Sequence, residues 1–428
     1  MNETLKVFKI KTPSPSRIFF YSFLVFNLLP SVYLYITNHF ESLYGVPNTP
    51  AYYTALSLNL EIVLLFGILY IIFSLFFKIV FKFKKSKSVI SVYDSLKIFN
   101  GNVISESGKN KFIISGKTYK SVLLFGLFGA ILVWIYFFTG GYEKLLLIGA
   151  DVDQWEFRII SYDDRSRLLI ALLEIARRFI LPFTCVYLLV HNSLSLKYTN
   201  SKLTYFMLFT LLLSGAMTLD RGPILLFFIM FIFVKMNFNI SKKQYLFFGI
   251  VSFVGVIFLA SFLTYIQYNI LDFTYSQIVE TAFNFIWHRT ILVPSIASIE
   301  LSYFNFPMNS EKLFFSFSRL GAVFGKDYIA IGDEKSIYVT PVGFIADIWR
   351  NIGLFGVILF SIFFAYLFRH LNYLQNKMSP ITRIPFSFTV LSFCFFLIFG
   401  VFFSQGIFVH IILLFLVSVF LRNEKMIN

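Results

Sequence analysis

Residues 168–191 read LLIALLEIARRFILPFTCVYLLVH, an apolar run that is long enough to cross a bilayer as a helix. Similar runs recur along the whole chain, and each of them predicts one transmembrane helix. The predicted spans lie near residues 18–38, 56–81, 119–139, 168–191, 203–218, 222–236, 244–266, 344–368, 384–402 and 405–421. This pattern predicts an all-α, polytopic membrane protein of about ten transmembrane helices, built as a single integral membrane domain over residues 1–428.

The amino-acid composition points to the same environment. Hydrophobic residues make up 57% of the 428 residues and charged residues only 14%, against roughly 25% charged residues in a soluble domain. A soluble protein with 59 Phe would expose large apolar patches, whereas membrane lipid accepts them. The net charge of +15 is concentrated in the connections between spans, so we expect no nucleic-acid partner.

The placement of Lys and Arg predicts the orientation of the spans. Basic connections alternate with less basic ones, which puts both termini and the basic loop 82–118 in the cytoplasm. The periplasmic side then receives the segment 140–167, with six acids against four bases. It also receives a large loop at 267–343, which is too long for a simple connector and is expected to form short helices.

Three charged residues lie inside the quoted run. Glu174 precedes Arg177 and Arg178 by three and four residues, so on a helix its carboxylate reaches either guanidinium. A charge at the bilayer centre costs about 3 kcal/mol, which favours a functional reason for keeping it there. We expect one arginine to be neutralised by Glu174 and the other to face a cavity. The alternative is a structural ion pair near a helix bend at Pro182.

A second group, Asp220-Arg221-Gly222-Pro223, separates two predicted spans. Pro223 suits the first turn of a helix, which places Arg221 at a helix N-terminus, where anions bind favourably. The pattern is equally typical of a short polar turn whose arginine contacts lipid headgroups.

Two further groups carry polar chemistry. His288 and Arg289 adjoin in the large loop, where arginine suits phosphate and neutral imidazole accepts a proton from a hydroxyl. A structural histidine is the alternative. Asp347 and Arg350, beside Asn351, begin the eighth predicted span and either line the same cavity or cap a helix entrance.

The sequence carries no pattern typical of a metal or nucleotide site. The five histidines are scattered, and there is no CxxC, HExxH, Walker-type or dinucleotide-binding motif. We therefore expect no cofactor, no metal ion and no nucleotide hydrolysis by this chain.

Four stretches resemble the O-antigen polymerase family, the Wzy-type polymerases of oligosaccharide repeat units. They are EIARRFILP at 174–182, SGAMTLDRGPILLFF at 214–228, HRTILVPSIASIELSYF at 288–304 and GFIADIWRNIGLFGVILF at 343–360. The resemblance implies a mostly helical, GT-C-like protein of the bacterial inner membrane with a periplasm-facing, metal-independent glycosyltransferase activity. Such enzymes transfer a growing glycan from undecaprenyl diphosphate to a lipid-linked repeat unit, commonly with a separate chain-length co-polymerase as partner.

The resemblance also implies roles for individual residues. The arginines that bind the diphosphate in this family resemble Arg178 or Arg177, Arg221 and Arg289 of this chain. Asp347 and Arg350 would be supporting residues of the same site. By analogy with the catalytic His of the related ligases, His288 is the candidate for activating the acceptor hydroxyl, although its position next to Arg289 departs from the ligase pattern. Glu174 and Asp220 are the alternative bases.

Three other functions fit parts of the pattern. An O-antigen ligase uses the same donor but passes it to lipid A core or to a protein, and no ligase-like His motif is evident here. A lipid-linked oligosaccharide flippase or other transporter usually has more spans and lacks a long outer loop with charged motifs. A purely structural scaffold would not need to bury Glu174, Arg177 and Arg178.

Overall fold

The computed structural model describes most of the predicted helical regions. The described residues are 6–41, 47–83, 93–99, 102–105, 111–112, 116–143, 167–194, 200–218, 221–237, 250, 280, 287–288, 291–303, 343–399, 407–422 and 426–427. The predicted span 244–266, apart from residue 250, lies outside these residues. Most of the predicted periplasmic segments 140–167 and 267–343 also lie outside them, as do Asp220 and Arg289.

Twelve α-helices lie within the described residues, and we number them in chain order. They are α1 Pro15–Phe23, α2 Leu29–Thr37, α3 Pro50–Phe83, α4 Gly116–Tyr136, α5 Arg167–Ile175, α6 Leu181–Ser193, α7 Ser201–Thr218, α8 Arg221–Asn237, α9 Val293–Tyr303, α10 Phe344–Gln375, α11 Pro380–Phe399 and α12 Ile407–Arg422. Among the described residues, four helical stretches are long and apolar enough to cross a membrane: Pro15–Thr37, Pro50–Phe81, Thr118–Gly141 and Ile352–Gln375. Helical structure is thus confirmed in these stretches, while the total of ten spans stays a prediction.

Two π-helical turns join consecutive helices, and a proline explains each of them. Leu24–Leu28 connects α1 to α2, and Ala176–Ile180 connects α5 to α6. Pro30 and Pro182 stand at the second position of the helix that follows. Proline has no N–H for the carbonyl four residues earlier, and its ring crowds that carbonyl, so the preceding turn widens instead of continuing as α-helix.

The helices pack through aromatic and small residues. α3 packs against α9 and α10, and α6 packs against α4, α7 and α11. Phe19 of α1 stacks on Phe368 of α10 with ring centroids 4.3 Å apart. Gly126 lets α4 approach α6 closely, because a Cβ there would lie 2.3 Å from Thr184 Cγ2.

α10 is not the straight span that the sequence predicted at 344–368. Gly353 has φ 69° and ψ −155°, which breaks the helix, and the part before the break turns back along the part after it. Phe344 consequently lies 5.4 Å from Phe364, centroid to centroid, although a straight helix would separate them by about 30 Å. The predicted span is therefore wrong at its beginning: the candidate span is Ile352–Gln375, and residues 344–352 form a re-entrant helix.

A five-stranded antiparallel sheet accompanies the helices, and the sequence analysis did not predict it. Its strands, in spatial as well as chain order, are β1 Lys6–Lys11, β2 Tyr93–Phe99, β3 Asn102–Ser105, β4 Lys111–Phe112 and β5 Met426–Ile427. The sheet joins the N-terminal segment, the basic loop 82–118 and the C-terminal segment. These three regions therefore lie at the same end of the helices.

Hydrogen bonds at this end connect the start of α1 to the end of α10. Asn372 donates through its Nδ2 to Ser16 Oγ at 2.7 Å and accepts from the Ser16 backbone N–H at 3.0 Å. Since Pro15–Thr37 is long enough to span a membrane, the end of α2 lies at the end of the molecule opposite to the sheet.

Candidate functional site

The three charged residues of the stretch 168–191 form a cluster. Glu174 Oε1 accepts a hydrogen bond from Arg177 Nη2, and Glu174 Oε2 lies 2.6 Å from Arg178 Nε. The prediction that Glu174 would pair with only one arginine is therefore wrong, because each carboxylate oxygen contacts a different guanidinium. The reason is local geometry: the π-helical turn that begins at Ala176 carries both arginines, at spacings of three and four residues from the carboxylate.

The two arginines differ in exposure. The Arg177 side chain is 1% exposed and the Arg178 side chain is 34% exposed. A guanidinium group binds anionic oxygens through charge-assisted hydrogen bonds, so an arginine of this cluster is suited to an anionic group. Arg178 is the arginine that a ligand reaches more readily.

His288 is held by a carboxylate that the sequence analysis did not single out. His288 Nε2 lies 2.7 Å from both Oε1 and Oε2 of Glu41, and both side chains are partly exposed. Trp287 packs edge-to-face on Tyr33 of α2, with ring centroids 5.5 Å apart. The Trp287–Tyr33 contact and the His288–Glu41 contact join the large loop 267–343 to α2 and to the connection that follows it.

The surroundings of this pair contain further titratable groups. His39 Nε2 lies 3.4 Å from Glu41 Oε2, and the Tyr52 hydroxyl donates to the His39 carbonyl oxygen at 3.5 Å. Glu300 of α9 is fully buried and lies within electrostatic range of the Tyr52 hydroxyl. Because Glu41 engages Nε2 of His288, Nδ1 is the nitrogen left to exchange a proton with a ligand.

The remaining predicted site residues have mixed outcomes. Arg221 is the first residue of α8, which confirms its predicted place at a helix N-terminus. Asp347 is 3% exposed and lies in the first turn of α10, and Arg350 belongs to the same re-entrant helix. The roles of Asp220 and Arg289 stay predictions, because these residues lie outside the described part of the chain.

The predicted site residues thus form two separate sets, which lie on different helices. Glu174, Arg177 and Arg178 belong to the α5–α6 segment, which packs on α4 and α11. His288 and Glu41 belong to segments beside α2, α3 and α9. Glu41 had no recognisable signal of its own, since its partner is 247 positions away.

Neither set forms a metal site within the described residues. No three His, Cys, Asp or Glu side chains there are arranged to hold a metal ion. A groove of about 470 Å³ lies elsewhere, between α4 and α7, where Trp134 and Phe206 are among its apolar lining residues. Its lining suits a hydrocarbon chain rather than a charged ligand.

Comparison with known proteins adds no assignment: no protein-family model, curated protein or solved structure matches this chain.

Proposed function

We propose that this protein is a metal-independent glycosyltransferase that polymerises undecaprenyl-diphosphate-linked oligosaccharide repeat units into O-antigen or a related surface polysaccharide. The reaction would take place at the periplasmic face of the bacterial inner membrane. The observation that supports this most is the contact of His288 with Glu41 at 2.7 Å. A carboxylate that orients an imidazole and stabilises its protonated form is the arrangement that general base catalysis uses.

In the proposed reaction, a hydroxyl of the lipid-linked acceptor attacks the anomeric carbon of the donor glycan. The hydroxyl proton passes to His288 Nδ1, and Glu41 stabilises the resulting imidazolium. The bond between the anomeric carbon and the diphosphate oxygen breaks, and undecaprenyl diphosphate leaves with the electron pair. The donor already holds its activated bond, so the reaction needs neither a nucleotide nor a metal ion.

Arginines would stabilise the leaving diphosphate. Arg178 is our first candidate, because its side chain is 34% exposed. Arg221 and Arg289 are the additional candidates from the sequence. Arginine suits this task because its planar fork binds two oxygens of a phosphate group at once.

The segments at the two ends of the helices support the proposed orientation in the membrane. The sheet unites both terminal segments and the lysine-rich loop, and positive charge favours the cytoplasmic side. Glu41 lies beyond the opposite end of the first candidate span, which supports a periplasmic position for the His288–Glu41 pair in the proposed orientation. The apolar groove between α4 and α7 is suited to membrane lipid or the isoprenoid chain of the substrate.

The test is deletion of the gene in the native host, followed by gel analysis of surface polysaccharide and complementation. We expect the deletion to leave lipid A core capped by one repeat unit, and wild type to restore the ladder. His288→Gln and Arg178→Ala should reach the membrane but fail to restore it. His39→Gln is the matched control. The His39 side chain lies next to Glu41, but His39 has no role in the proposed reaction.

Loss of all capping, single units included, would contradict the polymerase proposal. That result is expected of a ligase or of a flippase instead. Purification with a chain-length co-polymerase would identify the partner that the proposed function implies.

A further inference from the structure

The five-stranded sheet has one face that is rich in lysine. Directly paired residues of an antiparallel sheet lie on the same face, and every second residue along a strand returns to it. The register therefore places four of the five lysines of the strands on one face, which we call the lysine face: Lys9, Lys11, Lys97 and Lys111. Asp94, the one acidic residue of the five strands, lies on the other face, where it pairs with Ile10. The lysine face thus carries four positive charges and no negative charge.

The opposite face of the sheet is mainly apolar. Seven apolar residues lie on it by register: Phe8, Ile10, Leu96, Ile98, Val103, Phe112 and Met426. In amphipathic helices, the same combination of an apolar and a lysine-rich face is typical of elements that lie in a membrane interface. There the apolar residues point towards the acyl chains, and the lysines lie level with the head groups.

Short connections hold the sheet close to the helices. Three residues separate β1 from α1, three separate β4 from α4, and three separate α12 from β5. Each connection spans at most about 14 Å. α1 and α4 belong to stretches that are long and apolar enough to cross a membrane. The sheet therefore stays near the membrane surface at this end of the candidate spans.

These connections leave the sheet from opposite corners. The connection to α1 leaves from Lys11, which pairs with Tyr93 of β2. The connections to α4 and α12 leave from Phe112 and Met426, which are in register with Ile98 of β2. The corners are therefore about 17 Å apart along the strands and about 14–19 Å apart across them. An upright sheet would lift one corner beyond the reach of its connection, so the connections favour a sheet that lies flat along the membrane surface.

We propose that the lysine face of the sheet binds the head groups of anionic phospholipids in the leaflet beside it. Lys9 and Lys11 are about 7 Å apart along β1, and Lys97 lies on the next strand in a diagonal position to Lys9. Like charges within a Debye length of about 8 Å repel one another, and anionic phosphate groups beside them relieve this repulsion. Each basic residue near an anionic leaflet strengthens the association about fivefold. The inference is independent of the proposed reaction.

The test measures how close the sheet lies to lipid head groups in nanodiscs that contain the full chain. Ser95→Cys, which pairs with Lys9 on the lysine face, carries a fluorophore, and the native Cys185 and Cys394 are buried. A phospholipid with a nitroxide on its head group quenches the fluorophore at short range. We expect quenching to rise about twofold when about 30% of the phosphatidylcholine is replaced by phosphatidylglycerol. In about 1 M salt, quenching should return to the lower value, because the charges are then screened.

A fourfold variant tests the lysines themselves. Lys→Gln substitution at all four positions of the lysine face should abolish the effect of phosphatidylglycerol on quenching. The matched control removes the same charge from four exposed lysines of the helices and should keep the effect: Lys78→Gln, Lys120→Gln, Lys202→Gln and Lys235→Gln.

A disulfide on the apolar face checks that the fourfold variant retains its sheet. Phe8 pairs with Leu96, so Phe8→Cys with Leu96→Cys should cross-link in the variant as in wild type. If the variant does not form this disulfide, Lys97→Gln alone provides the second measurement, and it should lower the effect of phosphatidylglycerol in part.

Three results would overturn the inference. Equal quenching in both lipid mixtures would show that the lysine face does not attract anionic head groups. If the fourfold variant forms the disulfide and still responds as wild type does, other residues attract the lipid. If the fluorophore is protected from a soluble quencher in native membranes but not in nanodiscs with phosphatidylglycerol, a soluble acidic partner covers the lysine face instead of lipid.

Discussion

Glu41 and His288 are 247 positions apart in the chain, yet His288 Nε2 lies 2.7 Å from each of the two Glu41 carboxylate oxygens. The first of these residues follows α2, and the second precedes α9. The contact ties the large loop to the far end of the first candidate span, and it gives His288 the carboxylate partner that an acid–base role requires.

The His288–Glu41 pair leads to the first prediction, which concerns the rate of glycan transfer. His288→Gln removes the proton acceptor and should lower the rate in membranes by about 10²- to 10⁴-fold. Glu41→Gln keeps a hydrogen-bond partner but removes the charge that stabilises imidazolium, so its loss should be smaller. Polymer length on a gel over time measures both, with His39→Gln as the control. Equal activity of all three variants would exclude the acid–base role.

The cluster around Glu174 leads to a stability prediction. Glu174→Ala removes the carboxylate that Arg177 contacts, and Arg177 is 1% exposed, so we expect a loss of about 3 kcal/mol. The double variant Glu174→Leu with Arg177→Met should recover most of that stability, because the buried charge of Arg177 is removed together with its partner. Thermal unfolding in detergent measures the difference, and Glu61→Gln on an exposed position of α3 is the control. A stable Glu174→Ala variant would show that this carboxylate is dispensable for the fold.

The break in α10 depends on Gly353. Its φ of 69° and ψ of −155° belong to a region that is essentially restricted to glycine, so Gly353→Ala should cost about 1–3 kcal/mol. Gly353→Asn should cost as much, because asparagine tolerates the left-handed helical region but not this ψ value. The unfolding midpoint of each variant tests this. If either variant is as stable as wild type, the re-entrant turn is not present.

The sheet predicts a specific cross-link. Lys9 of β1 is paired with Ser95 of β2, and opposed residues of antiparallel strands lie within disulfide distance. Lys9→Cys with Ser95→Cys should form a disulfide when membranes are oxidised, detected as a shift in gel mobility. The native Cys185 and Cys394 are buried and should not interfere. Lys9→Cys with Asp94→Cys is the register control, and equal cross-linking of both pairs would contradict the pairing.

The sequence anticipated the features that depend on near neighbours. Apolar runs long enough to span a bilayer are local properties of composition, and four of them are helices of sufficient length in the structure. The spacing of Glu174, Arg177 and Arg178 placed these charges within contact on one helical surface. The start of α8 at Arg221 followed from Pro223, whose ring suits the first turn of a helix.

Only the tertiary structure decided the features that depend on distant partners. The stretch NIGLFG around Gly353 is compatible with a straight transmembrane helix, and packing against α3 selects the turned-back form. The lysines of β1 and β2 predicted only a cytoplasmic location, because strand pairing between residues so far apart leaves no local signal. The contact of His288 with Glu41 likewise could not be predicted from the sequence. Local periodicity specifies helices and their apolar lengths, whereas contacts across hundreds of residues form only when those helices pack.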